Sequence, residues 1–322
     1  MRGAMLTVPH PVIRPEAALT EHERLQVRDV HVRALEVDGV SPLSEQSLLS
    51  LDSPPGRVRH FLSYAGSRLV GYAQLDDAGS TAASGELVVD PSSRRRGVGR
   101  GLLEAVLGAA PEARVWSHGH LVGAQVLARS AGLSPVRDLH KMARPLSRAD
   151  TEASATALPP GFSARPFEPG RDEAAWLSAN AAAFSHHPEQ GRLTVADLQE
   201  RMGQPWFDPS GLILVEAGEH PGKVAAFHWT KVDPAQRSTL DASATAGEVY
   251  VVGVHPAYQG RGLGRPVTAL GLAHLAGLGL PEVVLYVDGD NEAAMRTYTR
   301  LGFRSIMVDV MYSRTGDRPL SG

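Results

Sequence analysis

The sequence contains no cysteine. Disulfides, thiolate metal sites and cysteine nucleophiles are therefore excluded. A chain without disulfides fits a reducing compartment, and the cytoplasm is the expected location. No apolar run is long enough to span a bilayer. The longest candidate, residues 267–280, contains His274 and several glycines and reads as an amphipathic helix, so no membrane partner is expected. Residues 1–10 lack the apolar stretch of a secretory leader, and none is expected. Positive charge is not in excess: 32 Lys+Arg face 35 Asp+Glu, for a formal net charge of -3. That balance argues against a nucleic-acid partner. Aromatic residues are sparse, and the tryptophans Trp116, Trp176, Trp206 and Trp229 read as core or pocket wall. Histidine pairs occur, His118 with His120 and His186 with His187, but without acidic residues at ligand spacing; no metal is expected.

What is present is a duplication. With 322 residues the chain is long for one core. Residues 87–106 read LVVDPSSRRRGVGRGLLEAV, and residues 252–270 read VGVHPAYQGRGLGRPVTAL. Pro91 and Pro256 lie 165 apart, as do Gly97 and Gly262, and Gly99 and Gly264. Each copy passes from an apolar, strand-like stretch through a proline turn and a glycine-rich basic loop into an apolar helix. A second pair follows in the same order: GAQVLARSAGL at 123–133 and AAMRTYTRLGF at 293–303, each a short helix ended by glycine and an apolar residue. The repeat predicts two domains. Residues 150–160, DTEASATALPP, have linker composition. The expected division is 1–150, linker 151–160, and 161–322. Residues 238–247, rich in small polar residues, predict an exposed loop.

The two loops share Arg/Gln-x-x-Gly-x-Gly, with Arg94, Gly97 and Gly99 in one and Gln259, Gly262 and Gly264 in the other. Glycines let backbone approach a ligand, and a helix start offers free N–H groups and a dipole to a pyrophosphate. Arg95, Arg96, Arg100, Arg261 and Arg265 add positive charge for further phosphates. Neither loop ends in the Gly-Lys-Ser/Thr of a Walker A motif, and neither offers the third glycine and downstream acid of a dinucleotide fingerprint.

The strand, this loop, the helix and then Asn291-Glu292-x-Ala294-x-x-x-Tyr298-x-x-x-Gly302-Phe303 resemble the GNAT acyltransferases. The resemblance implies an α/β (α+β) fold of two tandem domains, each a mixed, mostly antiparallel sheet flanked by helices. It implies acetyl-CoA as co-substrate, lying in a V-shaped gap between two central strands. In the first copy Leu87, Val88, Val89, Arg95, Arg96, Gly97, Val98, Gly99 and Arg100 would hold it. In the second the set would be Val252, Gly253 and Val254, then Gln259, Gly260, Arg261, Gly262, Leu263, Gly264 and Arg265, then Asn291, Glu292, Ala293, Ala294, Met295 and Arg296. Residues 37–40 with Glu45 and Gln46, 187–191, 206–209, 227–232 and 247–254 further resemble the mycothiol synthase family over nearly the whole chain. Those enzymes acetylate the cysteinyl amine of a cysteine–glucosamine–inositol conjugate. The resemblance implies substrate contacts from Glu45, Glu189, Lys231, Glu248 and Tyr286. It departs from the family at the long Ala-, Ser- and Thr-rich connection between Lys231 and Glu248, and at His255, where aspartate is usual.

Amide formation from a thioester needs a neutral amine, donors for an oxyanion and a proton for the departing thiolate. Tyr298 is the candidate acid. Its structural alternative is a packed tyrosine with its hydroxyl on a backbone carbonyl. Glu248 is the candidate base, through water, against the alternative of a solvated carboxylate. The backbone N–H of Val252 is a candidate oxyanion donor if its strand splays. Position 83, 165 before Glu248, is alanine, and the counterpart of Tyr298 is Ala128. The first domain is therefore expected to be catalytically silent while still holding acetyl-CoA, although Glu86 lies near the place of the base. A monomer is expected. Acetylation of an aminoglycoside or polyamine, and a non-catalytic acyl-CoA-binding module, stay open as alternatives.

Overall fold

A computed structural model describes residues 12–77, 83–152, 156–185, 188–220 and 222–314, the side chains of 188 and 189 excepted. The chain forms two compact units. Unit 1 comprises Met1–Leu139, Asp288–Asp290 and Met307–Ser321; unit 2 comprises His140–Val287, Asn291–Ile306 and Gly322. The units do not coincide with the 1–150 and 161–322 division read from composition. Leu139 and His140 fall inside one long strand, as do Ile306 and Met307, so each break lies within an element and leaves no composition signal.

In unit 1 the strands are β1 (Val12–Glu16), β2 (Arg59–Ala65), β3 (Arg68–Asp76), β4 (Ser84–Val89), β5 (Arg114–Ser117) and the later part of β12 (Arg304–Arg314), neighbours in that order. β1–β2, β2–β3, β3–β4 and β5–β12 are antiparallel, and β4–β5 is parallel. α1 (Glu21–Asp38) starts at a Thr20–Glu23 capping box and stops at Gly39, whose φ of 69° ends the helix. It packs Val27, Val30 and Ala34 on one face of the sheet, against Leu62, Tyr72 and Val88. α2 (Glu45–Leu49) follows. α3 (Val98–Ala109) covers the other face with Val98, Leu102 and Val106. Fully burying such a side chain contributes about 1.5–3 kcal/mol. α4 (Val122–Ser130) completes the unit and leads through Gly132 (φ 74°) to buried Leu133 at the start of β6 (Leu133–Pro145).

Unit 2 repeats the plan. Its strand order is the later part of β6, then β11 (Glu282–Asp288), β10 (Gly247–Val254), β9 (Val224–Lys231), β8 (Leu212–Ala217) and β7 (Phe162–Pro166). β10–β11 is the parallel pair, while β10–β9, β9–β8 and β8–β7 are antiparallel. α5 (Glu173–Ala183), the single turn α6 (Pro188–Gly191) and α7 (Val195–Met202) lie on the Trp176–Trp229 side. α8 (Gly264–Gly277) covers the other face and holds the residues expected to be helical around 267. α9 (Glu292–Arg300) ends through Gly302 (φ 89°) at buried Phe303, the counterpart of Gly132 and Leu133. The α/β class and the mixed, mostly antiparallel sheet with flanking helices are as expected. Residues 238–247 are not simply exposed: Ser238, Ala246 and Gly247 are buried, because the connection folds back on the sheet.

Candidate active site

The parallel pair in each unit is short. In unit 2, β10 pairs with β11 only over Gly247–Val249, opposite Val283–Leu285, yet β10 runs on to Val254 while its other edge stays paired with β9. Tyr250 is the extra residue of a β-bulge between Val249 and Val251. A bulge bends the strand and raises its local twist, which turns β10 away from β11. Val252, Gly253 and Val254 all lie in the stretch beyond the last pair. Gly253 has a steric reason: a Cβ there would meet Phe227 Cζ at 2.8 Å and Ala183 Cβ at 3.2 Å. In unit 1, β4 pairs with β5 only at Ser84 and Gly85 and runs on to Val89. The gap expected between central strands is thus present in both units.

Each gap opens on the glycine loop. Gln259 Nε2 donates to the carbonyl of Val254 (3.3 Å), and Arg94 Nε donates to the carbonyl of Val89 (3.2 Å). The first residue of the shared motif therefore ties the loop to the end of its strand, in both copies. Arg94 is further fixed by two bonds to Asp38, at 2.7 and 2.6 Å. His255 Nδ1 accepts from the Ala257 N–H (3.2 Å) where Asp90 accepts from Ser92 (3.0 Å), so the histidine takes over the cap of the aspartate. Gly97, Gly260 and Gly262 have φ of 85°, 77° and 79°. Neither α3 nor α8 has a side-chain cap at its N-terminus, which leaves first-turn N–H groups for an anion. Two of the loop arginines have exposed carboxylate partners. Arg100 pairs with Glu104 (3.0 Å) and Arg261 with Glu219 (2.5 Å). Arg95, Arg96 and Arg265 are exposed. Asn291 caps α9 by accepting from the Ala294 N–H (3.1 Å), and Glu292 pairs with Arg296 (2.8 Å).

The proton-handling candidates sit on the two sides of β10. Glu248 is half-buried, directly opposite Lys231 on β9 and Val284 on β11. Cross-strand partners share a face, so Tyr286, two residues beyond Val284, shares it as well. Lys231 is buried, with its ammonium 4.7 Å from the Trp206 ring centre, 5.4 Å from that of Tyr250 and 3.7 Å from Asp233. Tyr250 packs on Trp206 and Trp229, and its hydroxyl oxygen accepts from Arg201 Nε (3.0 Å). Trp206, expected as core or pocket wall, is buried in the cluster of Trp176 and Trp229. Tyr250, Arg201 and Asp233 were missed, because no spacing links α7 to a bulge on β10. Tyr298 packs edge-on to Phe303 (5.7 Å) and within the cluster of Val249, Leu285 and Val252. Burial pushes its phenol up from the ordinary value. Among the described residues its hydroxyl has no hydrogen-bond partner, so the alternative of a hydroxyl bonded to a carbonyl is not realised. Glu45 is the first residue of α2 and belongs to unit 1, whereas Lys231, Glu248 and Tyr286 belong to unit 2. The side chain of Glu189, and His186 and His187, lie outside the described residues.

In unit 1 the corresponding positions are buried. Tyr298 is the seventh residue of nine in α9, and Ala128 is the seventh of nine in α4. Glu86, the first residue past the β4–β5 pairing, is buried and accepts from the Ser44 N–H (2.7 Å). His118 stands between two carboxylates, Nε2 3.4 Å from Glu86 and Nδ1 3.0 Å from Asp309. The first of these is an ion pair without a formed hydrogen bond. Burial lowers the pKa of His118, but the two carboxylates outweigh it and lift the imidazole to about 10.

Two splayed sheets with a glycine loop at each opening define a tandem GNAT acyltransferase. Residues 174–303 match the acetyltransferase (GNAT) family and residues 56–132 an acetyltransferase (GNAT) domain. Among solved structures, a tandem GNAT protein from the clavulanic acid biosynthesis pathway has the same fold, with a TM-score of 0.69 at 20% identity over 94% of this chain and 98% of that one. A GCN5-related N-acetyltransferase from Sphaerobacter thermophilus gives 0.63 at 22% identity over 95% and 97%. The mycothiol acetyltransferase of Thermomonospora curvata is 49% identical over 91% of this chain and 94% of its own length. That of Kytococcus sedentarius is 46% identical over 93% and 96%. The chain belongs to the mycothiol acetyltransferase family.

Proposed function

We propose that this chain transfers an acetyl group from acetyl-CoA to the cysteinyl amine of a cysteine–glucosamine–inositol conjugate, giving mycothiol and CoA. Unit 2 carries the chemistry, while the first domain of the duplicated pair, residues 1–150, binds acetyl-CoA and is catalytically silent. The protein acts as a cytoplasmic monomer without metal, nucleic acid or membrane.

The donor site fits the cofactor on three observations: positive-φ glycines, uncapped helix N-termini and a gap in the sheet that opens on both. Acetyl-CoA supplies the acyl thioester. The N–H groups of residues 260–265, with Arg265, hold its pyrophosphate. The N–H of Val252 stabilises the charge that develops on the thioester oxygen. Glu248 takes the proton from the acceptor ammonium, through water, and leaves the amine free to attack. Tyr298 gives its proton to the departing sulfur. Lys231 and Tyr286, on the face of Glu248, hold the polar body of the acceptor.

The observation that carries the assignment is the half-buried phenol of Tyr298, without a hydrogen-bond partner among the described residues, on the helix that follows β11 and packed against Val249 and Val252 of the splayed β10. The test is release of free thiol from acetyl-CoA with the cysteinyl conjugate, run beside aminoglycosides and polyamines. Turnover confined to the conjugate is expected. Turnover on another amine removes the substrate and leaves the reaction; no turnover at all favours an acyl-CoA-binding module.

A further inference from the structure

The connection between β9 and β10, residues 232–246, is pinned by one buried carboxylate. Glu282, the first residue of β11, is 1% exposed. It accepts from Ser238 Oγ (2.9 Å), from the Thr239 N–H (2.6 Å) and from Thr239 Oγ1. Hydrogen bonds to a charged acceptor are the strong ones, and a buried carboxylate without donors is costly, so this staple holds. The loop also closes on itself: the Ala246 N–H donates to the Gln236 carbonyl (2.9 Å), the Ser238 N–H to that of Ala244 (3.0 Å), and Arg237 bridges Thr245.

Two side chains of the stapled loop reach the acceptor face. Asp233 lies 3.7 Å from the Lys231 ammonium. Gln236 Oε1 accepts from Lys141 Nζ (3.1 Å), and that ammonium stands 5.5 Å from the ring centre of Tyr286. The loop leaves the sheet next to Lys231 and returns at Gly247, beside Glu248. All of these residues belong to unit 2, and none is part of the glycine loop at 259–265.

We infer that Glu282 is a positioning residue that holds the 232–246 loop as the specificity-determining wall of the acceptor site, with Asp233 and Gln236 facing the hydroxyl-rich end of the acceptor. The inference rests on the acetyl-transfer reading above. Carboxylate, amide and ammonium groups together suit hydroxyls, which both donate and accept.

The test varies both substrates in steady state for the wild type, Glu282→Ala and Gln236→Ala, and follows tryptic cleavage after Arg237. Glu282→Ala is expected to raise the acceptor KM about tenfold or more, the scale of one or two charged hydrogen bonds, and to speed cleavage at Arg237. The acetyl-CoA KM and kcat stay within about twofold to threefold. Gln236→Ala keeps the staple, so it raises the acceptor KM without faster cleavage; it decides the matter if Glu282→Ala fails to fold. An unchanged acceptor KM in Gln236→Ala, or a fall in kcat alone in Glu282→Ala, overturns the inference. A wild type that turns over another amine instead removes the cysteinyl substrate only, and the same KM split on that amine then decides the loop. A wild type inert to every amine overturns both.

Discussion

Replacing Tyr298 by phenylalanine isolates one hydroxyl. The ring keeps its packing on Phe303 and among Val249, Leu285 and Val252. No hydrogen bond is broken among the described residues, so folding stability should move by less than about 0.5 kcal/mol. Acetyl-CoA affinity should also hold, because the loop at 259–265 is untouched. The chemical step should suffer. A phenol with its ordinary pKa near 10 loses its proton to a thiolate whose acid has a pKa near 8.5 at a cost of about 2 kcal/mol. Burial raises the phenol further, so the true cost is higher. That is still small beside a barrier of about 16 kcal/mol, which corresponds to about ten turnovers per second. Losing the proton donor should lower kcat by about 10²–10⁴-fold. The raised phenol also places the alkaline limb of the wild-type kcat profile above the usual tyrosine range, and the phenylalanine variant should lack that limb. The assay is thiol release across pH, with acetyl-CoA binding and melting temperature measured on the same samples. Wild-type kcat in the variant would remove Tyr298 from the reaction; a melting temperature lowered in step with kcat would make it a packing residue.

Glu248→Gln keeps size and hydrogen bonding but cannot take a proton, so kcat should fall by about 10²–10⁴-fold with acetyl-CoA affinity unchanged, as read by thiol release and calorimetry. Gly262→Val puts a β-branched residue at φ 79°, where a Cβ has only Pro159 within 4 Å, so the penalty falls on the loop backbone. Acetyl-CoA binding to unit 2 should weaken about a hundredfold or more, and turnover with it. Gly97→Val should lower the number of acetyl-CoA molecules bound, seen by calorimetry, and leave turnover near wild type. His118 is lifted from its ordinary 6.5 to about 10, so its contribution to stability is complete below pH 6.5 and is lost as the pH rises toward 10. Glu86 is lowered despite its burial, so its contribution is lost as the pH falls through its folded value. Melting temperature should therefore fall on both sides, and His118→Gln should flatten the alkaline fall.

Much of this architecture was legible because duplication writes it twice. The shared glycines, the two short helices ending at Gly132 and Gly302, and the offset of 165 mark elements whose backbone needs are local. The role of the first motif residue was not legible: Arg94 and Gln259 differ in charge, and only the bond each makes to the last carbonyl of its strand shows why both serve. The carboxylate partner of Arg261 was not legible either, since Glu219 lies 42 residues away in sequence. Tyr250 reads in sequence as one more strand residue, and its place in a bulge follows from register with β9. The staple on residues 238–239 was hidden because Glu282 is 43 positions or more away in sequence. The unit boundaries inside β6 and β12 depend on strand pairing, which composition does not encode.

The surroundings of Glu86 bear on why one copy would be silent. It is the first residue past the parallel pair of β4 with β5. A base must present a free lone pair to an incoming proton. Both oxygens of Glu86 are engaged, one by the Ser44 N–H and the other by the His118 cation, and that cation holds its pKa below the ordinary carboxylate value. An acceptor ammonium would have to displace His118, which Asp309 also holds. Breaking such a buried pair costs about 3–5 kcal/mol. Ala128 is 5% exposed within the core of unit 1, so there is no room for a phenol without overpacking, at about 1–3 kcal/mol. Glu86 and Ala128 thus belong to the buried interior of unit 1, while its glycine loop keeps an uncapped helix start and exposed arginines. Those two facts together support a unit 1 that binds a phosphate-bearing ligand without turning it over.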